Sequence, residues 1–340
     1  MPGMKIVDLS NEPAKWSASL DAFSYVGVGH LIEWGKIIRR AYGMDSLYLA
    51  AVNGSEIRGL LPLVFVKSRI FHRALVSMPS LNDGGILAQD RETELFLWKQ
   101  AITIMKNNNM SYIECRHTRD IDLGLAPRTD KISMILDLAG GTRKVWMNKL
   151  HGNVRNKVRK SKKMGVEIKE GPEWLEAFHK LHLINMKELG SPAHSLRFFK
   201  ETANILKDRI KIYAATLGET VVGGKIVCYF KDTLYFLWIS SPRKYLKYAV
   251  PSLLDWRAIE DAIKNGMRYC DFGRSTPGSS HYDFKKKWGL MPIQLYWHIY
   301  PPPKDTSKIG SYEIFSRLWR RLPLSVVKFV GPRLRGKLPH

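Results

Sequence analysis

Residues 271–289 read Asp271-Phe272-Gly273-Arg274-Ser275-Thr276-Pro277-Gly278-Ser279-Ser280-His281-Tyr282-Asp283-Phe284-Lys285-Lys286-Lys287-Trp288-Gly289. A strand-like start runs into a loop of small residues, then into cations and aromatics. Small residues let backbone N–H groups approach an anion, and Arg274 and Lys285 add positive charge beside them. Ser275, Gly278, Tyr282, Phe284 and Trp288 complete a candidate binding loop. Asp271 and His281 are the candidate proton acceptors. The same composition suits a surface turn with solvated lysines. Asp271 equally suits a structural acceptor at a strand end, and a loop histidine is commonly solvent-exposed.

Arg143–Lys163 holds nine basic residues and no acidic one. Its spacing predicts a helix with Leu150, Val154 and Val158 on one face and Arg155, Arg159 and Lys162 around the other. A solvated helix face is the usual reading of such a run, but missing counter-charges favour phosphate, with Arg155 and Arg159 as the candidate contacts. Asn82-Asp83-Gly84-Gly85 follows Pro79 and is a turn by composition. His179 and His182 have no third ligand at suitable spacing, so no metal is expected.

These residues need a scaffold, and the chain supplies one twice. Leu49–Gly59 aligns without a gap on Tyr213–Gly223, each a strand, a tight turn at Gly54 or Gly218, and a second strand. A helix is expected before each hairpin, over Leu31–Ala41 and Leu196–Leu206, from apolar residues three and four apart. A second helix is expected after each, over Leu95–Asn109 and Leu253–Gly266, running into strands at Tyr112–Cys115 and Tyr269–Phe272. Asn109 and Gly266 stand where a left-handed cap belongs. Recurrence about 160 residues later argues for duplication of an α/β unit with mixed, mostly antiparallel sheets flanked by helices. The expected lobes are 1–130 and 131–300, with a basic amphipathic tail at 301–340.

The bulk numbers agree with two folded lobes. The chain has 340 residues, 45% of them hydrophobic, against roughly 150 per ordinary domain. A net charge of +23 calls for an anionic partner: nucleic acid, a phosphorylated substrate or an anionic membrane. The start lacks a basic segment followed by an apolar run, and the three cysteines form no CxxC pair. A cytoplasmic location is expected, with peripheral contact at the inner membrane face as an option. The tail from Lys304 to His340 mixes nine basic residues with Trp319, Leu322, Phe329 and other apolar ones. It suits either an anionic lipid surface or packing across the lobes, and Pro323 and Pro332 interrupt any long helix.

The order hairpin, helix, strand resembles the GNAT acetyltransferase fold, and its tandem arrangement resembles the Fem family of aminoacyl transferases. The string DFGRS, a Gly-Ser loop and Y-x-FKKxWG is similar to the signature of Fem-like proteins of the exopolysaccharide-associated branch. That resemblance places Lys285 at the acyl-transfer centre, and gives the first lobe, with Asn82, Asp83, Gly84 and Gly85, a share of the acceptor pocket. It implies transfer of an acyl or aminoacyl group to an amine on a cell-envelope, peptidoglycan or polysaccharide precursor, phosphorylated or lipid-linked. The donor would be aminoacyl-tRNA or an acyl thioester used as co-substrate, with no permanent cofactor.

Such transfer needs a donor carbonyl beside a neutral amine, and positive charge or N–H donors where the oxyanion forms. Lys285 is the expected oxyanion stabiliser and Arg274 a phosphate or carboxylate clamp. Simple acetyl-CoA enzymes carry a glycine-rich loop before the corresponding helix. Here Ser241–Pro251 lacks those glycines, with Pro251 placed for a first helical turn. Two alternatives stand beside this reading: an acyl-CoA or acyl-carrier-dependent N-acyltransferase on an amino sugar or small amine, and a non-catalytic nucleic-acid-binding protein.

Overall fold

The computed structural model describes residues 3–67, 73–303 and 309–337. In chain order the elements are β1 (Met4–Asp8), α1 (Pro13–Ser19), α2 (Glu33–Tyr42), β2 (Ser46–Asn53), β3 (Glu56–Val66), β4 (Ala74–Val76), β5 (Leu87–Ala88), α3 (Arg91–Asn107) and β6 (Tyr112–His117). Then follow β7 (Ile132–Asp137), α4 (Gly141–Lys144), α5 (Gly152–Lys163), β8 (Val166–Glu170), α6 (Leu175–Leu189), α7 (Leu196–Leu206), β9 (Ile210–Leu217), β10 (Thr220–Phe230) and β11 (Thr233–Ser240). Last come α8 (Val250–Lys264), β12 (Tyr269–Ser275), α9 (Ser280–Lys286), β13 (Met291–Gln294), β14 (Tyr296–Tyr300), α10 (Ile309–Arg321) and α11 (Leu324–Arg335).

The chain forms two compact units. One takes the chain up to Lys131 and a segment beginning at Gln294; the other takes Ile132–Ile293 and a segment ending at Arg335. Residues 294–300, expected in the second lobe, instead belong with the first, because β14 pairs antiparallel with β6. The C-terminal helices pack on α6 of the second unit.

Each unit is a mixed sheet flanked by helices. The first sheet runs β1-β2-β3-β4-β6-β14, with β5 on β3, and the second runs β13-β7-β12-β11-β10-β9-β8. The hairpins β2–β3 and β9–β10 turn at Gly54 and Gly218, both at positive φ. After each hairpin a third strand lies parallel to the strand that follows the next helix: β4 to β6 over Ala74–Val76 and Tyr112–Glu114, and β11 to β12 over Thr233–Tyr235 and Tyr269–Asp271. Parallel neighbours need a helical crossover, which α3 and α8 provide. The second core gathers Met134, Val154, Val158, Val227, Leu254, Ile259 and Trp288 between the sheet and α5 and α8.

The basic run 143–163 is not one helix. A short α4 and a π-helical turn over Val145–Lys149 precede α5; Val154 and Val158 are buried as their spacing predicts, while Leu150 is buried from the extended backbone ahead of the helix.

A buried ion pair braces the first unit at β6. Arg116 is fully buried and its Nε and Nη2 donate to Glu114 Oε1 at 2.8 and 2.6 Å, while its guanidinium lies 4.5 Å from the Trp297 ring of β14. Removing one partner strands a charge in low dielectric. Glu114→Leu is therefore expected to lower the hydrogen-exchange protection of β6 amides by about 3–5 kcal/mol, and Glu114→Leu with Arg116→Met by much less. Equal losses in the single and double variants would refute that account.

Candidate active site

Where β11 and β12 diverge beyond their parallel stretch, the second unit opens into a cavity of about 480 Å³. Its walls are mostly apolar, with Phe236, Trp238, Phe272 and Phe284, as in most small-molecule sites. The polar residues lining it are few: Lys225, Asp255, Ser241, Asn185, Ser280, His281 and Lys285.

Lys285 sits there through three local devices. The register of β12 against β7 slips between Asp271 and Arg274, and Gly273 takes φ 73° inside that bulge, a backbone state that favours glycine. Ser279 then caps α9, its Oγ accepting from Tyr282 N at 3.2 Å, so the helix begins at Ser280 and places Lys285 near its end. Lys285 Nζ reaches back and donates to Gly273 O at 2.9 Å and Arg274 O at 3.0 Å. An ammonium has three donors, so these two bonds leave one for a ligand in the cavity. Burial pulls its pKa down to about 8; Asp271 opposes that shift and Lys225 reinforces it.

Behind it lies a pair that the sequence reading did not single out. Lys225 Nζ is 2.6 Å from Asp255 Oδ1, both almost fully buried, and 3.2 Å from the Phe236 ring centroid. Burial lowers the pKa of Lys225 and raises that of Asp255, each shift opposed by the partner's charge. The close packing of β10 on α8 that sets this pair depends on Gly223, where a Cβ would stand 2.5 Å from Val250 Cγ1. The signal was present: a lysine inside the apolar strand Val221–Phe230 must have a partner. Ser241 Oγ, another residue not singled out as a site, is buried on the cavity wall with no hydrogen-bond partner among the described residues.

The other expected residues divide. His281 and Phe284 line the cavity. Asp271 Oδ1 accepts from Gly273 N at 2.6 Å and from Ser133 Oγ at 2.7 Å, which ties the bulge together. Arg274 lies in β12 opposite Ser133, and Ser275 is buried opposite Ile132. Gly278 occupies an exposed turn at φ 77°. Tyr282 packs against the core, and Trp288 is fully buried, its ring 5.4 Å from Phe272. Arg155 Nη1 donates to Leu150 O at 2.6 Å and to Trp146 O and Met147 O at 3.2 Å, and Arg159 lies over the Trp146 ring. These two arginines hold the turn ahead of α5.

In the first unit, Asp83, Gly84 and Gly85 border a crevice of about 10 Å³ beside Arg116 and His117, while Asn82 is half-buried next to them. Asp83 Oδ1 accepts from Gly29 N at 2.8 Å. Burial raises its pKa to about 6 against that bond. Gly85 allows His117 to approach, since a Cβ there would be 2.3 Å from the imidazole Cδ2. No group of three or more potential metal ligands occurs among the described residues.

Residues 148–286 match the acetyltransferase (GNAT) domain family. No curated protein matches the chain. Among solved structures it is similar to FemX, with 13% identity, 92% of this chain and 100% of that one covered, and a TM-score of 0.67. It is also similar to L-PGS from Bacillus licheniformis, at 16% identity, 91% and 98% coverage and a TM-score of 0.56. A tandem GNAT protein from the clavulanic acid biosynthesis pathway gives 10%, 88% and 100%, and 0.55. At these identities the likeness is one of fold, and the fold in common is the tandem GNAT arrangement.

The shifted lysine is directly measurable. With Cε-labelled lysine, one NMR signal is expected to titrate near pH 8, well below the ordinary value of about 10.4, and to vanish in Lys285→Met. A wild-type spectrum with every lysine titrating near its ordinary value would refute the burial described for Lys285.

Proposed function

We propose that this chain is an N-acyl or aminoacyl transferase that carries out its chemistry in the cavity of the second unit. The observation that carries the reading is the Lys285 ammonium, fixed on two carbonyls of the β12 bulge at the cavity wall. A cation preorganised in an apolar enclosure stabilises charge that forms during reaction far better than one that must reorient in water.

The acceptor amine attacks the donor carbonyl carbon; a C–N bond forms and the carbonyl oxygen becomes an oxyanion. Lys285 donates its remaining N–H to that oxygen. The amine's proton passes to His281, which is exposed to solvent and lines the cavity. Collapse re-forms the carbonyl and breaks the bond to the ribose oxygen or thiolate, which takes the proton held by His281 as it leaves. Ser241 and Asn185 orient the substrates, and the Lys225–Asp255 pair holds the field behind the lysine. The acceptor is an amine on a cell-envelope or polysaccharide precursor, and aminoacyl-tRNA is the donor in the leading version. Lysines on the exposed face of α5 meet its phosphates.

The match of 148–286 to an acetyltransferase domain favours a second version with an acyl-CoA donor. Against it, Ala249 and Pro251 open α8 where a glycine loop would cradle pyrophosphate.

Lys285→Met is expected to cut kcat by about 100–1,000-fold, with unchanged circular dichroism, when charged tRNA and CoA thioesters are each tested against a panel of amines. Turnover with only one donor class selects the version. Undiminished turnover in the variant would refute the site, and tRNA binding without transfer to any amine would point to a non-catalytic RNA binder.

A further inference from the structure

The C-terminal helix pair presents an unusual surface. α10 turns Ser316 and Trp319 inward, and α11 turns Val327 and Gly331 inward. Outward face Ile314 at 60% exposure, Leu318 at 58% and Phe329 at 65%, together with Leu324 and Val326. Exposed cations stand among them: Arg317, Arg320, Arg321, Lys328 and Arg333. From Ile314 to Leu338 the sequence has seven basic residues and no acidic one.

We propose that this face docks on an anionic lipid bilayer, the two helices lying in the plane of its surface. Neither α10, of 13 residues, nor α11, of 12, reaches the roughly 30 Å of a hydrocarbon core, and no described helix is long and apolar enough to cross a membrane. Protruding Ile, Leu and Phe side chains interleaved with Arg are what a helix lying at a lipid interface needs. Charge separates this occupant from others. A second copy of the same face would set five exposed cations against five more, and a nucleic acid would leave the aliphatic side chains without a partner. An anionic headgroup layer over acyl chains satisfies both kinds of residue at once.

Placement gives the contact a consequence for the cavity. Lys187 Nζ of α6 donates to Arg320 O at 2.9 Å, and Gly190 packs under Ser316 so closely that a Cβ would stand 2.0 Å from its Oγ. Leu189, between them at 48% exposure, also lines the cavity, as does the exposed Ile239. Leu189 thus joins the end of α6 that carries the helix pair to the cavity wall. Docking itself asks nothing of the transfer chemistry, so it stands or falls apart from the function proposed above.

Flotation of the full chain at physiological salt with phosphatidylglycerol–phosphatidylcholine vesicles, and with phosphatidylcholine alone, tests this directly. At least tenfold more protein is expected on the anionic vesicles. Ile314→Asp with Leu318→Asp, both exposed positions, is expected to remove at least nine-tenths of that binding while the melting curve stays unchanged. If that variant fails to fold, Arg317→Gln with Arg321→Gln carries the same expectation. Equal flotation on the two vesicle types, or full binding by the folded variants, overturns the proposal. So does a wild-type dimer in analytical ultracentrifugation that the same substitutions dissociate, which would assign the face to a second copy.

Discussion

Where two neighbouring strands part, the backbone groups at the divide lose the partners a ladder would give them, and each one buried unsatisfied costs about 1–3 kcal/mol. In the second unit β11 and β12 part after three residue pairs, and the register of β12 on β7 slips at Gly273, beside the carbonyls of Gly273 and Arg274. Lys285 answers both carbonyls with one ammonium, which is what places a cation at the cavity wall. Gly273 must be able to take φ 73°, Ser279 must start α9 at the right residue, and Asp271 must hold Gly273 N. The same three features that satisfy the backbone fix the lysine, so stability and site geometry are one arrangement.

The first unit contains the same divergence with a different outcome. β4 and β6 run parallel for three residue pairs and then separate, but the opening is filled by Arg116, which donates to Leu81 O as well as to Glu114, and by His117. His117 shares a 3.2 Å hydrogen bond with His298 from β14, and burial drives the pKa of both imidazoles below the ordinary value. β14 therefore closes with side chains what the second unit leaves as a cavity of about 480 Å³. Duplication supplied two forks; one is plugged with a buried ion pair and a histidine pair, and one is open.

Much of this was legible from the chain alone. The internal repeat gave both hairpins, both crossover helices and the strands after them, because periodicity and turn glycines are local and survive duplication. Leu196–Leu206 is the helix expected from its apolar spacing, and Asn109 and Gly266 do take positive φ. The exchange of 294–300 was not legible, since which sheet edge a short apolar strand joins is decided by the vacancy beside β6 and not by the strand itself. Lys225 and Asp255 were passed over for a related reason. Each looks like an ordinary residue within its own element, and only the packing of β10 on α8 brings the two charges within 2.6 Å.

Charge shows most clearly what a one-dimensional count hides. The run 143–163 has nine cations and invites phosphate along its whole length. In three dimensions Arg155 spends its guanidinium on three carbonyls of the turn before α5, Arg159 covers Trp146, Lys149 donates to Asp137 O, and Lys157 lies 5.6 Å from the Phe284 ring. Those cations bind the chain to itself. A lysine or arginine beside an unsatisfied carbonyl gains a charge-assisted bond at once, whereas one left in water gains only what a screened phosphate offers. Among the described residues, the basic side chains left to solvent are therefore the ones no carbonyl or ring has claimed. On α5 these are the exposed lysines Lys160, Lys162 and Lys163 toward its C-terminal end, where the helix dipole also favours positive charge.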